Sequence, residues 1–207
     1  GIGILSLDQV GSKVNILYRG KKILKNFDSD LTKMLEDAMG LVNINLITNV
    51  NIKKISLSKE LYKVYFNSSR SISSNKVLSA IGRVPATKGI GLEKIGVNTG
   101  KDHSIIVNQN LSTSKKNIYA IGDVTNRINL TPVAIAEGHA LADNLYSKKR
   151  KKIDLSNVGS AVFSTPALCS VGPTETEAVK VYKNVDIYES KFRPLKYTII
   201  NKTELIY

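Results

Sequence analysis

The chain has no tryptophan, one cysteine, two methionines and two histidines in 207 residues. A lone Cys169 excludes an internal disulfide and any two-cysteine redox motif within these residues, and it suits a reducing, cytoplasmic setting. With only His103 and His139 beside it, the usual nitrogen and sulfur ligands of a zinc site are lacking, and no metal is expected. No apolar run approaches the roughly 20 residues of a membrane span. No charged-then-apolar leader marks export either, so neither a membrane nor a secreted setting is expected. Acid is scarce: Asp and Glu number 17 against 30 Lys and Arg, for a formal charge of +13. That excess comes from 24 Lys and only 6 Arg, spread thinly in a chain rich in Asn, Ile and Ser. Arg-rich helices with interleaved aromatics would signal nucleic acid, and none is visible. The one dense run, Lys148 to Lys152, follows a predicted helix and reads as a solvated loop, so no nucleic-acid partner is expected.

What is present centres on N-I-Y-A-I-G-D, Asn117 to Asp123, followed by L-T-P-V-A at Leu130 to Ala134. The alternation reads as a buried strand that ends in Gly122 and carries a carboxylate at its C-terminal tip. Thr131 then reads as the cap, and Pro132 as the first turn, of a helix running to about Tyr146. In open α/β sheets ligands sit outside the carboxyl ends of strands. An acid there can hold a ribose or polyol hydroxyl, while the helix N-terminus offers positive partial charge. The plainer alternative for Asp123 is a turn or cap residue after a strand. For Thr131 it is simple capping, which holds either way.

Pattern divides the chain in three. In residues 1–81, Lys13–Tyr18 reads as a strand, and Ser29 or Asp30 caps a helix that closes at Gly40. Short strands follow at Asn43–Thr48, Val50–Ser56, Leu61–Asn67 and Lys76–Ile81. A parallel strand, a crossover helix and a β-meander make a nucleotide-binding half. Residues 82–150 open with the breaker G-R-V-P and hold a loop-rich stretch, the Ile118–Asp123 strand and the helix from Thr131. That helix is expected to pack Val133, Ile135, Ala136, Ala140 and Ala142 closely against a sheet. Residues 151–207 hold a strand at Ala161–Ser164, a helix around Thr174–Val181, and strands at Val185–Phe192, Tyr197–Ile200 and Glu204–Tyr207. The expected class is α/β, with Rossmann-like nucleotide-binding domains and the start of an α+β domain.

Seven strings in order, L-Y-R-G-K-K-I-L-K-N-F-D, A-I-G-R-V-P, I-Y-A-I-G-D-V, L-T-P-V-A-I-A, A-V-F-S-T-P, S-V-G-P-T-E and F-R-P-L-K, resemble the flavoprotein disulfide reductases of the glutathione reductase type. The resemblance covers nearly the whole chain. It implies FAD and NADPH as cofactors, three-layer ββα nucleotide domains, a homodimer, a role in redox homeostasis and glutathione disulfide as substrate. Residues 1–81 would be most of an NADPH domain, 82–150 the returning part of an FAD domain, and 151–207 the start of a dimer-interface domain. By the same resemblance, Asp123 holds the ribitol of FAD, with Gly122 beside it. Leu130 and Thr131 open the helix that approaches the flavin pyrimidine edge. Negative charge on reduced flavin would be stabilised there by roughly 0.3–1 kcal/mol.

Arg19 and Lys25 match a pair of cations that grip the 2′-phosphate of NADPH. Arg19 suits a phosphate by its bidentate fork, whereas Lys25 stands for the family's usual arginine and lacks one. The plainer alternative is two exposed basic residues in a Lys-rich chain. Gly82 resembles a backbone approach point to the same dinucleotide, and Val162 a residue beside the nicotinamide. G-I-G-I-L-S-L-D resembles a glycine fingerprint with Gly1 and Gly3 in the turn and Asp8 in the acid's place. Only four residues then separate Asp8 from Lys13, about six fewer than in the family. A shortened fingerprint and a start of little functional meaning both stand.

The family's other chemistry departs from this sequence. It uses a redox cysteine pair and a His-Glu acid/base couple, and neither is present. Cys169 occupies a position usually held by glycine and reads as a buried structural thiol. His139 follows Gly138 where glutathione reductases can carry a substrate-binding arginine, and a helix-surface histidine is the equal alternative. Pro173 replaces the usual leucine. By this reading the chain is an incomplete or inactive fragment of such a reductase, with no catalytic residue of its own. The alternatives are a non-catalytic remnant or interaction module, or part of a dihydrolipoamide, mercuric or trypanothione reductase. Arg19 with Lys25 argues against the NAD-linked dihydrolipoamide member.

Overall fold

The computed structural model describes residues 11–147 and 151–199. These fall into two compact units, one formed by the chain up to Leu78 together with Ala161 onward, the other by Ser79–Ser160.

The first unit is built on a β-α-β element. Strand β1 (Val14–Leu17) pairs in parallel with β2 (Ile44–Ile47), in the register Val14 to Ile44 through Leu17 to Ile47. Parallel neighbours need a crossover, and helix α1 (Ser29–Gly40) supplies it. Val14, Leu35, Met39, Ile44 and Leu168 form the core, flanked by Ile16, Ile23, Phe27, Leu31 and Val162. The α1 positions Thr32, Leu35 and Met39 are buried at helical spacing, so one stripe of the helix lies on the sheet.

An antiparallel meander follows, β3 (Ile52–Ser58), β4 (Leu61–Phe66) and β5 (Arg70–Ser74), in that spatial order. Lys59 and Glu60 make the two-residue β3–β4 turn, both at positive φ (45° and 67°), as a tight hairpin between twisted strands requires. Further on, β6 (Ser160–Val162) pairs with β7 (Leu168–Ser170). In the second unit, α2 (Leu92–Ile95) is a single turn between Gly91 and Gly96, both at positive φ. Its core is Leu92, Val97, Ile105 and Ala120, with Val107, Ile118 and Val124 against it. Helix α3 (Thr131–Tyr146) is its long element. Helices α4 (Glu175–Val181) and α5 (Leu195–Ile199) complete the described chain.

Several sequence expectations change. Asp28, not Ser29 or Asp30, caps α1: its Oδ1 accepts the Asp30 N–H at 3.1 Å. Leu130 holds the cap position of α3 without a side-chain bond, and Thr131 is the first helical residue. Of the expected strand Ile118–Asp123, residues 118–121 run outside any sheet and bridge only at Tyr119, to Ser112, and Gly122 and Asp123 already belong to a 3-10 turn, Gly122–Thr125. Its alternation reports burial of Ala120, which is not the same as strand pairing. The third meander strand is Arg70–Ser74 rather than Lys76–Ile81; Leu78 and Ile81 are exposed, and the serine-rich β5 offers only Ile72 as an apolar signal. Val185–Phe192 forms no strand. In place of the strand expected at Tyr197–Ile200, Leu195–Ile199 is helical, entered from Pro194, which lacks an N–H and has a helix-compatible φ. Ile200, Glu204–Tyr207, Gly1, Gly3, Asp8 and Lys148–Arg150 lie outside the described residues. No helix among those described is long and apolar enough to cross a membrane. The α/β class holds throughout.

Asp28 ties two segments far apart in sequence. Its Oδ2 accepts the Glu175 N–H at 3.1 Å, at the start of α4. The Asp30 N–H, then that of Glu175, hold the Asp28 carboxyl below its ordinary value of 3.8. Asp28→Ala is expected to cost about 1 kcal/mol, the usual worth of a cap. Because the folded value is depressed, this stabilisation is present above pH 3.8 and is lost as pH falls through the lower folded value. Chemical denaturation of wild type and variant at neutral and acid pH checks this: the gap between them should close in acid.

Candidate functional site

The second unit presents a corner formed by the 3-10 turn Gly122–Thr125 and the first turn of α3. Gly122 is buried with φ +69°, and a Cβ on it would stand 3.0 Å from the Ala134 Cβ. Both the backbone angle and the close approach of α3 therefore require glycine. The Thr125 hydroxyl donates to the Gly122 carbonyl at 2.8 Å, and the Asn126 N–H to that of Asp123 at 3.0 Å. Asp123 stands on the outside of this turn, its side chain 48% exposed, with an Arg83 nitrogen 3.8 Å from Oδ2. Arg83 is itself 87% exposed, so the pair is a loose, screened one that leaves the carboxylate open to a hydroxyl donor.

Beneath the turn lies a residue that sequence reasoning missed. The Glu137 side chain is 1% exposed and sits on the inner face of α3. One carboxylate oxygen accepts the Gly122 N–H at 2.5 Å, and the other meets the Arg127 guanidinium at 2.5 Å. The signal was there: Val133, Glu137 and Ala140 follow helical spacing, so a carboxylate interrupts the buried stripe. Buried acids need partners, and Arg127 lies ten residues upstream. The same spacing turns Ile135, Ala136 and Ala142 outward, against the packing expected of them.

The loop after the turn is knitted to its surroundings. The Asn126 side-chain amide donates to Asp102 Oδ2 at 2.6 Å, and that of Asn129 to Asn126 Oδ1 at 2.8 Å. The Ser104 hydroxyl and the Asn126 amide together lower the Asp102 carboxyl to about 2. Leu130 is half-buried and Thr131 exposed, and Leu130, at the cap position, offers no side-chain bond to the first N–H groups of α3. Gly82 lies in the same unit at φ +123°, with no atom within 4 Å of where a Cβ would stand.

In the first unit, Arg19 and Lys25 both lie in the loop between β1 and α1, past the carboxyl end of a parallel strand. Both are exposed, and neither enters an ion pair among the described residues. Gly20 accepts the Asn49 N–H at 2.9 Å, and Glu36 accepts the Ile23 N–H at 3.3 Å, so the loop is held near its start and at its middle. Val162 is half-buried in β6. Asp28, Asp30 and Glu175 bring carboxylate oxygens within 4.8 Å of one another at the surface.

The structure also places Cys169 and His139. Cys169 is exposed rather than buried, because its neighbour Leu168 in β7 takes the core-facing position and alternation turns the thiol outward. His139 is on the exposed face of α3, two positions past Glu137.

The pyridine nucleotide-disulphide oxidoreductase family matches residues 4–138. The chain belongs to that family. It is 38% identical over 195 residues to a glutathione reductase of Burkholderia cepacia, covering 94% of this chain and 43% of the relative. A trypanothione reductase of Trypanosoma congolense is 42% identical over 191 residues, covering 92% of this chain and 39% of that protein. Among solved structures, the HOCl-induced flavoprotein disulfide reductase RclA of Escherichia coli superposes with a TM-score of 0.88 at 26% identity, over 97% of this chain and 46% of its own. The chain thus spans less than half the length of these relatives. Its glutathione reductase-like strings fall in family order, and the doubly constrained Gly122 lies in one of them.

Replacing Gly122 by Ala should cost about 1–3 kcal/mol, from positive φ and crowding by Ala134 together. Thermal denaturation checks this, and an unchanged midpoint would contradict the close approach of turn and helix.

Proposed function

We propose that this chain is part of a glutathione-disulfide reductase-like oxidoreductase that passes hydride from NADPH through FAD to a disulfide. The observation that carries the reading is the Gly122–Thr131 corner. An open carboxylate and an uncapped helix N-terminus lie on either side of a short, tightly held loop. A flavin fits these residues: Asp123 would accept from a ribityl hydroxyl, and the N–H groups of Thr131 and Val133 in the first turn of α3 would face the pyrimidine edge. Bound FAD supplies the hydride acceptor and the route for electrons to a disulfide. The residues of this chain bind and orient it, and the helix dipole favours its reduced, more negative form.

Arg19 and Lys25 supply the 2′-phosphate grip for NADPH, with Val162 beside the nicotinamide and Gly82 as an approach point for the dinucleotide. If the fingerprint at Gly1, Gly3 and Asp8 is a shortened one, it adds to the same binding. In this reading residues 1–81 are NADPH-binding, 82–150 belong to an FAD domain and 151–207 begin a dimer-interface domain. The parent protein would be a cytoplasmic homodimer acting on glutathione disulfide in redox homeostasis. The glutathione reductases at 36–38% identity support that substrate.

One observation favours a second reading. Cys169 is the chain's single cysteine, so these 207 residues hold no thiol pair to receive electrons. The chain then keeps the binding surfaces without the chemistry, as a non-catalytic module or as one piece of a larger catalyst.

The nucleotide choice is testable in the chain as it stands. Arg19→Ala should weaken NADPH binding roughly ten- to a hundredfold, the worth of a charge-assisted contact, while leaving NADH binding unchanged. Titration calorimetry with both nucleotides reads this. Equal losses for the two, or none for either, would remove Arg19 from the phosphate site.

A further inference from the structure

We infer that Glu137 is a positioning residue: one buried carboxylate sets the spacing between the Asp123 turn and the first turn of α3. The inference rests on the flavin reading of that corner for its functional meaning, but its geometry stands by itself. Asp123 and the start of α3 are joined only by the loop Val124–Leu130, and a ligand that touches both needs that loop to have one length and one path. Glu137 clamps it twice. Through the Gly122 N–H it fixes the residue just before Asp123, and through Arg127 it fixes the middle of the loop. Both bonds end on one side chain of α3, so the turn, the loop and the helix move as a single body.

The choice of a charged residue supports this role over plain packing. A carboxylate taken almost wholly out of water is costly, and an apolar side chain of similar volume is often no less stable. What an apolar side chain cannot do is accept a backbone N–H on one oxygen and hold a guanidinium on the other. The Gly122 N–H would then be left buried without a partner, and Arg127 would be free to leave. Asp123 gains nothing directly from Glu137, since its own carboxylate faces the other way, toward Arg83. The effect passes through the backbone of the turn.

The test uses the ¹⁵N-labelled 207-residue chain as wild type, Glu137→Ala, Glu137→Gln, Arg127→Met and Asp123→Asn. Amide exchange and FAD affinity, the latter by flavin fluorescence, are measured for each. In Glu137→Ala the Gly122 N–H should lose protection by about tenfold or more, with Asp123 and Thr125 following, while the remote Val97 amide keeps its own. Glu137→Gln still offers an acceptor to Gly122 and should restore most of that protection. FAD affinity should fall about tenfold in Glu137→Ala at equal folded fraction, and recover in part in Glu137→Gln. If Glu137→Ala does not fold, Arg127→Met serves in its place and should loosen the Asn126–Leu130 amides.

Unchanged Gly122 protection in the folded alanine variant overturns the inference. So does an FAD affinity that tracks only the folded fraction. A wild type that binds no FAD, or an Asp123→Asn variant that binds it equally, overturns the flavin reading instead. In that case the exchange data alone decide the role of Glu137.

Discussion

A carboxylate withdrawn from water must be met by donors at every oxygen, and the Glu137 side chain meets that demand with one backbone N–H and one guanidinium. Much of the second unit is arranged so that this can happen. Gly122 must be glycine to let α3 come within reach, and α3 must present its 133–137–140 face inward. Arg127 has to fold back over the turn. The Val124 carbonyl, inside the same turn, takes the Ile105 N–H at 2.9 Å and so couples the turn to the unit's hydrophobic core. Asp123 is thereby left outside the turn with little to constrain it except a loose pair with Arg83, which suits a ligand-binding carboxylate.

The first unit solves a related problem with different groups. Its loop between β1 and α1 carries the exposed Arg19 and Lys25 and is held not by a buried charge but by the Asn49 N–H on the Gly20 carbonyl and by Glu36 of α1. Asp28 then closes the loop by capping α1 and taking the Glu175 N–H from a segment 147 residues away. Both candidate binding loops therefore follow one design: exposed functional groups on a short loop whose backbone is fastened to the helix that follows. Each unit shows this independently.

The parts of the fold legible in sequence were those with strong local period. The β1–α1–β2 element, the first two meander strands and α3 all lie within a few residues of their expected ends, because apolar spacing and helix breakers mark them. The losses have physical causes. Arg70–Ser74 is a strand by virtue of its neighbour β4, not of its own serine-rich sequence. Leu195–Ile199 is helical behind Pro194 although its β-branched and aromatic residues favour extension. Ile118–Ile121 is extended around the buried Ala120, and burial of one residue in a loop-rich core leaves the same alternation as burial in a sheet. At the corner, the turn at Gly122 and the helix start were legible from motif and turn chemistry, with the cap at Leu130 rather than Thr131. Glu137 was not, because a single acid in a helix looks like a surface residue until its i−4 and i+3 neighbours are known to be buried. Cys169 was misread for the converse reason: cysteine is usually buried, and the two-residue period of a three-residue strand is too short to see.

The central claim is that the corner between Asp123 and α3 is where a flavin is held. The most direct test is titration of FAD into the labelled 207-residue chain, followed through its backbone amide resonances. The expected result is saturable shifts concentrated at Gly122, Asp123, Leu130, Thr131 and Val133, with the meander residues 52–74 unmoved. Shifts confined to other regions, or none at all at saturating FAD, would contradict it.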